Sequence, residues 1–441
     1  MKMDTLKGIL NFIPAKQTLQ KKIILFIALS ILLPGCEEST INPFHSKDSQ
    51  FVNQSAALFE TMKLWYLWND QLPSVLPEPY YNSVESALEY LCYKQIDKWS
   101  FVIPSIIAQQ YFEEGVYYGF GIGLQWDDND HLRVIFVYKN SDAYQQNMSR
   151  GCRILSINNI AVSSLSDNLS DFLDTYNTIE VQYIDLQGDT LTATLAKKEI
   201  NIDYILHESI ITVDSKNIGY LVYNSFNINS VEDLNQAFSN FKNHNINDLI
   251  LDMRYNPGGR ASVAVHLASL IIDNGQDKVF YTTIHNDGLQ FLNQEEYFTS
   301  EPYSLGLNRV FIITTGSTAS ASELVINGLE PYIQVILIGE TTSGKPVGMY
   351  SFYFGSYAFF PVSLKTVNAN GYGDYYNGIE VDRSVQDDLT HDFGDNNESC
   401  LAEALSYIEN GSFTQKPSYA GSKLGKKKIT FTGFRAEISA F

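Results

Sequence analysis

Cysteine is scarce in this chain. Four in 441 residues are too few to brace a body of that length, so folding rests on burial of apolar surface. Basic residues are also in deficit: 30 Lys and Arg stand against 50 Asp and Glu, a formal charge of −20. A surface that acidic repels phosphate and argues against a nucleic-acid partner. The seven histidines (45, 131, 207, 244, 266, 285 and 391) occur singly. No CxxC or Cys/His spacing suggests a metal, and no cofactor is expected. With 13 Pro, 28 Gly and 18% charged residues, collagenous, disordered and coiled-coil classes are excluded. Aromatics, by contrast, are plentiful: 28 Tyr and 26 Phe supply a large core or grooves that hold apolar side chains. The length suits about three domains.

Long hydrophobic runs are absent too. Lys21 and Lys22 precede an apolar stretch from Ile23 to Leu33, broken by Ser30 and followed by Leu33-Pro34-Gly35-Cys36. That stretch is too short to span ~30 Å of hydrocarbon as a helix and reads as an export signal. Cys36 directly after Gly35 resembles the lipidation site of a bacterial lipoprotein signal, although Pro34 is unusual inside such a motif. The alternative is a plain secretory signal with a chance cysteine. The lipoprotein reading implies a membrane partner through a lipid anchor and a place in the bacterial cell envelope, on the periplasmic face or cell surface.

Residues 36–50 are polar and read as a tether. Between Phe51 and Leu72, apolar and aromatic positions recur at helical spacing, and a second helix is expected over Ser83–Gln95. Residues 51–110 therefore read as a small helical cap. From 111 to 205 the pattern is β-rich. Gly119-Phe120-Gly121-Ile122-Gly123 opens a strand, and Glu180–Tyr183 with Leu191–Leu195 suggests a hairpin about Gly188-Asp189. A glycine-rich loop opening a strand resembles a PDZ domain, which binds a peptide C-terminus as an added strand, with loop N–H groups on its carboxylate. Gly121, Ile122 and Gly123 are the candidate loop. A dinucleotide site is disfavoured because a turn, Asp127–Asp130, follows where a helix is required. That turn lacks the distal Glu and helices of a calcium loop.

From about Asn217 to 412, apolar strands alternate with helices. Strands are expected at Ile218–Tyr223, 249–254, Arg309–Thr315 and Val335–Ile338, with helices at Val231–Lys242, Ser262–Ile272 and Ser322–Leu329. This predicts a mostly parallel sheet covered on both faces. The fold class is thus an α/β domain over 206–412, with a helical N-terminal cap, a PDZ-like domain and a basic tail over 413–441.

Three segments fall at the C-terminal ends of predicted strands, where open α/β sheets place their sites. They are Asp252-Met253-Arg254-Tyr255-Asn256-Pro257-Gly258-Gly259, then Gly316-Ser317-Thr318-Ala319-Ser320-Ala321-Ser322-Glu323, then Gly339-Glu340-Thr341-Thr342-Ser343-Gly344-Lys345-Pro346. Singly, each has a plain explanation. Ser320 with Glu323 is a capping box, and Gly344-Lys345 fails as a phosphate loop because Pro346 occupies the Ser/Thr position.

In this order, the three resemble the C-terminal processing peptidases, also called tail-specific proteases. The resemblance extends upstream to Tyr66-Leu67-Trp68-Asn69-Asp70 and Asp97-Lys98-Trp99-Ser100, and downstream to Gly378-Ile379-Glu380-Val381-Asp382. It implies a serine/lysine peptidase acting on protein or peptide substrates, with Ser320 as nucleophile and Lys345 as its base. No histidine lies in a motif that could replace the lysine, and a desolvated lysine can serve as a general base. Ser317 and Ser322 compete with Ser320 as nucleophile, but the family motif favours Ser320. Ala321 N–H at a helix start suits an oxyanion. By resemblance, a glycine of the Pro257-Gly258-Gly259 turn gives the second donor, Gly258 being preferred to Gly259. Two positions depart from the family pattern: Met349 stands where many members carry Gln, and Cys152 where Asp is usual. The competing function is a catalytically weak or inactive peptide- or lipid-binding protein on the same fold.

Overall fold

The computed structural model describes residues 53–273 and 275–414. Cys36, the export signal, the tether, Phe51 and Val52, and the tail beyond Thr414 lie outside the described residues. Two compact units are present: residues up to Ile106 with Met349–Val362, and Ile107–Gly348 with Ser363 onward.

The first unit corrects the expected cap. Its helices are Gln54–Trp65 and Val84–Leu91, both shorter than the sequence spacing suggested. Asn53 and Ser83 cap them with side-chain oxygens, satisfying amides left open at a helix start. The first helix stops because Tyr66 turns extended, and its hydroxyl donates to Asp97 Oδ2 at 2.7 Å. Asp97 also accepts the amides of Trp99 and Ser100 through Oδ1. The Tyr66 and Asp97 motifs are therefore one buried tie. The unit also contains an antiparallel sheet of Phe101–Pro104, Tyr357–Phe360 and Phe352–Phe354, so it is not purely helical and ends near 106 instead of 110. Trp65 packs against Tyr350 and Phe352. No local window could anticipate strands supplied from 250 residues downstream.

Within the second unit, residues 116–201 build a β-rich body with its own core. Val116–Gly119 pairs with Lys198–Asn201. A separate sheet runs in the order Ile122–Trp126, Leu132–Val137, Arg153–Ile157, Thr178–Ile184 and Thr190–Ala196, leaving Ile122–Trp126 as an edge strand. Its inward residues include Ile122, Leu124, Trp126, Ile154, Val181 and Leu195, the period-2 alternation of a half-buried sheet.

A second sheet of this unit follows the order Ile205–Val213, Lys216–Tyr223, Asp248–Asp252, Arg309–Thr314, Gln334–Gly339 and Arg383–Ser384. The first pair is antiparallel and every other pairing is parallel. Asp248–Asp252 is buried at all five positions, as a strand covered on both faces must be. The helix Val231–Asn243 buries Leu234, Ala237, Phe238 and Phe241, a spacing that aligns one apolar face; each phenylalanine contributes about 1.5–3 kcal/mol. Helices Ala261–Ile271 and Ala321–Leu329 follow their strands. An antiparallel set, Val279–His285 with Glu295–Tyr297 and Val362–Val367, and a final helix Ser399–Asn410 were not anticipated.

Candidate active site

The strands Asp248–Asp252, Arg309–Thr314 and Gln334–Gly339 are adjacent and parallel, so the loops leaving their C-terminal ends emerge along one edge of the sheet. Hydrogen bonds lace these loops together. Thr318 Oγ1 donates to Met253 O at 2.8 Å, Ala319 N to Asn256 O at 3.1 Å, and Ser343 N to Thr318 O at 2.9 Å. Asn256 is fully buried and is the hub: its carbonyl also accepts Ser322 Oγ at 3.1 Å, and its amide donates to Tyr223 O at 3.0 Å. Ser322, thus tied to the interior, is fully buried and is unsuited to meet a substrate.

Ser320 sits at the N-cap of Ala321–Leu329 with φ 55° and ψ −114°. An ordinary N-cap is extended, and a non-glycine residue in this region costs about 1–3 kcal/mol. The expected capping box is present, with Ser320 N donating to Glu323 Oε2 at 2.9 Å. Helix initiation accounts for that bond but not for the backbone strain.

Glu323, fully buried, does more than begin a helix. The same Oε2 accepts Lys345 N at 2.8 Å, while Oε1 accepts Gly344 N and Thr342 Oγ1, each at 2.6 Å. Burial pushes its carboxyl above the ordinary value, partly offset by these four donors. Lys345 is itself only 4% exposed. Sequence reasoning saw Glu323 as a capping residue alone; its position three residues after the serine, in a motif paired with Gly-Lys, was the available signal. Gly344, at φ +82°, leaves no room for a side chain: a Cβ would lie 2.5 Å from Gly378 N and from Tyr376 O. The Gly378-Ile379 motif thereby straps the lysine loop, with Ile379 N donating to Thr342 Oγ1 at 2.7 Å.

The glycine turn meets the serine directly. A Cβ on Gly258 would lie 2.7 Å from Ser320 Cβ and 2.8 Å from Ala321 N. One expectation is corrected: Gly258 N–H already donates to Asn256 Oδ1 at 2.9 Å, so Gly258 contributes space and not a free donor. The amides of Gly259 and Ala321 make no hydrogen bond among the described residues.

Asp252 and Arg254, the ends of the Asp-x-Arg motif, face inward. Arg254 Nη2 donates to Asp252 Oδ2 at 2.7 Å, and Nη1 to Asp387 Oδ1 at 2.8 Å and Glu398 Oε1 at 2.9 Å. Arg150, on the turn carrying Gly151 and Cys152, donates to Asp387 Oδ1 at 2.8 Å and to Tyr255 Oη at 2.5 Å. Burial alone would raise the Asp387 carboxyl, but Arg150 and Arg254 hold it down to about 2. The sequence carried no sign of Arg150, Asp387 or Glu398 as partners.

The candidate peptide-binding loop, Gly121 to Gly123, lies apart from these segments in sequence. Gly121 has φ +76° and its Cβ position is filled by Ser141; Ile122 and Gly123 open the edge strand, Gly123 lying against Ile135 and Phe136. The Asp127 turn is closed by its own carboxylate, which accepts Asn129 N, His131 N and Arg133 Nε.

As a class, this is an α/β protein whose candidate chemistry lines the C-terminal edge of parallel strands. Residues 217–385 match peptidase family S41 and residues 53–101 match the peptidase S41 N-terminal domain. The chain belongs to peptidase family S41. It is 26% identical over 250 residues to the carboxy-terminal processing protease CtpA of Bacillus subtilis, covering 53% of this chain and 49% of that one. It is 25% identical over 360 residues to a protein of Staphylococcus epidermidis named as a probable CtpA-like serine protease, covering 79% and 69%. The chain thus spans about half the length of the Bacillus relative. A solved structure from Bacteroides fragilis assigned to the S41 proteases shares the fold, with a TM-score of 0.69 at 24% identity over 81% of this chain and 97% of that one.

Proposed function

We propose that this protein is a serine endopeptidase of the C-terminal processing type, with Ser320 as nucleophile and Lys345 as general base. The carrying observation is the single Glu323 oxygen that accepts both the Ser320 and the Lys345 amides. The main chains of two residues 25 positions apart thereby meet on one carboxylate, which supports pairing a serine nucleophile with a neighbouring base.

Lys345 takes the proton of Ser320 Oγ as the oxygen bonds to the scissile carbonyl carbon. The resulting oxyanion accepts hydrogen bonds from Ala321 N–H and Gly259 N–H, at the positive end of a helix. Collapse breaks the C–N bond, and the proton held by Lys345 passes to the leaving amine. Water then attacks the acyl ester, with Lys345 again accepting the proton. The new carboxyl end departs and the Ser320 hydroxyl is restored.

Substrate C-terminal regions are engaged by the β-rich body, where the edge strand Ile122–Trp126 favours strand addition and Gly121 opens it. The protein is held in the cell envelope by lipid on Cys36. Replacing Cys36 with Ser should shift it from the membrane pellet to the soluble fraction; an unchanged distribution contradicts the anchor.

The activity is tested with residues 37–441, incubated with β-casein and with peptides ending in apolar residues. Wild type should cleave, while Ser320→Ala and Lys345→Ala should not. Equal cleavage by wild type and Ser320→Ala, or none by wild type across a broad pH range, overturns the peptidase reading in favour of a binding protein.

A further inference from the structure

We propose that Glu323 is a positioning residue whose carboxylate fixes the separation of Ser320 and Lys345 by gathering the main chains of both on one oxygen. The inference rests on the serine/lysine reading above and goes beyond it, since neither the nucleophile nor the base contains the device that sets their spacing.

Four groups converge on this carboxylate. Three are the amides of Ser320, Gly344 and Lys345. The fourth is the Thr342 hydroxyl, whose oxygen already accepts Ile379 N at 2.7 Å and so directs its proton to Glu323 Oε1. Every partner donates. A carboxylate accepts all four bonds, whereas an amide in its place turns an N–H against an N–H or O–H. Helix capping uses only one of the four. The other three lie on the loop that carries the lysine, so Glu323 ties the strand-end loop at 340–346 to the start of Ala321–Leu329. Because Glu323 is buried, losing an acceptor there leaves amides without partners and lets the two loops relax apart. A displacement near 1 Å between reacting groups lowers turnover about 10²-fold.

The experiment compares wild type, Glu323→Gln, Thr342→Val and Thr342→Ser with β-casein and with a fluorophosphonate probe, alongside thermal melts. In labelling, Ser320 Oγ bonds to phosphorus, fluoride departs and the serine proton goes to Lys345. Glu323→Gln should lower kcat and the labelling rate about 10²-fold with KM changed little and the cooperative melt retained. Thr342→Val should lower kcat less, and Thr342→Ser should restore it. Wild-type kcat in Glu323→Gln, or a kcat loss matched in every variant by loss of folded protein, overturns the positioning role. Wild type that neither cleaves nor labels defeats the peptidase reading itself, and the positioning role falls with it.

Discussion

At the scale of single residues, the site trades backbone comfort for placement. Ser320 holds φ 55°, a region that glycine occupies without strain. Ser320→Gly should therefore be more stable than Ser320→Ala by about 1 kcal/mol, since glycine relieves the strain and caps a helix better than alanine. Chemical denaturation of the two inactive variants checks this; equal midpoints would mean that the strain is not stored. Gly258 gives the converse case. At φ +103°, its missing Cβ would stand 2.7–2.8 Å from Ser320 Cβ, Ala319 O and Ala321 N, two of which are backbone atoms that cannot swing aside. Gly258→Ala should destabilise the fold by about 1–3 kcal/mol and suppress casein cleavage, measured by melting and by turnover in the same preparation.

At the scale of elements, the loops are held from beneath by two arginines among carboxylates. Arg254 joins Asp252 at the end of one strand to Glu398, which in turn caps Ser399–Asn410 by accepting Leu401 N at 2.9 Å. Removing one member of a buried ion cluster leaves the other charges uncompensated, so Arg254→Ala should cost about 3–5 kcal/mol. A urea midpoint lowered from that of wild type by this amount checks it, and an unchanged midpoint contradicts it. These elements also mark what was legible in the sequence. The parallel ladder could be read because each strand is a short apolar run followed by a helix of 3.6-residue period, both local signals. The sheet that pairs Thr282 with Val367 and the strands added to the N-terminal unit depend on partners far away in the chain, and no window of 20 residues contains them. The same limit governed the site. Ser320, Lys345 and Ala321 are candidates because three motifs occur in order, but no motif shows that the Gly258 amide is taken up by Asn256 Oδ1. The second duty of Glu323 lies in bonds to residues 19 to 22 positions later.

At the scale of the whole molecule, fifty acidic residues make acid stability a test of the buried charges. Asp387, held down to about 2 by Arg150 and Arg254 against the opposing effect of burial, lies below its ordinary value of 3.8. Its contribution to stability is present above pH 3.8 and is lost as the pH falls toward 2. Wild type should therefore lose stability through that window, and Asp387→Asn, already weakened at neutral pH, should show a shallower fall there, read by urea titration at successive pH values. An equal slope in both proteins would place the acid sensitivity elsewhere. The central claim, that Ser320 is activated by Lys345, is met most directly by mapping a fluorophosphonate adduct by mass spectrometry on residues 37–441. A single adduct on Ser320 is predicted in wild type, absent from Ser320→Ala and lost or greatly slowed in Lys345→Ala. An adduct on Ser317 or Ser322, equal labelling in Lys345→Ala, or no adduct in wild type would contradict it.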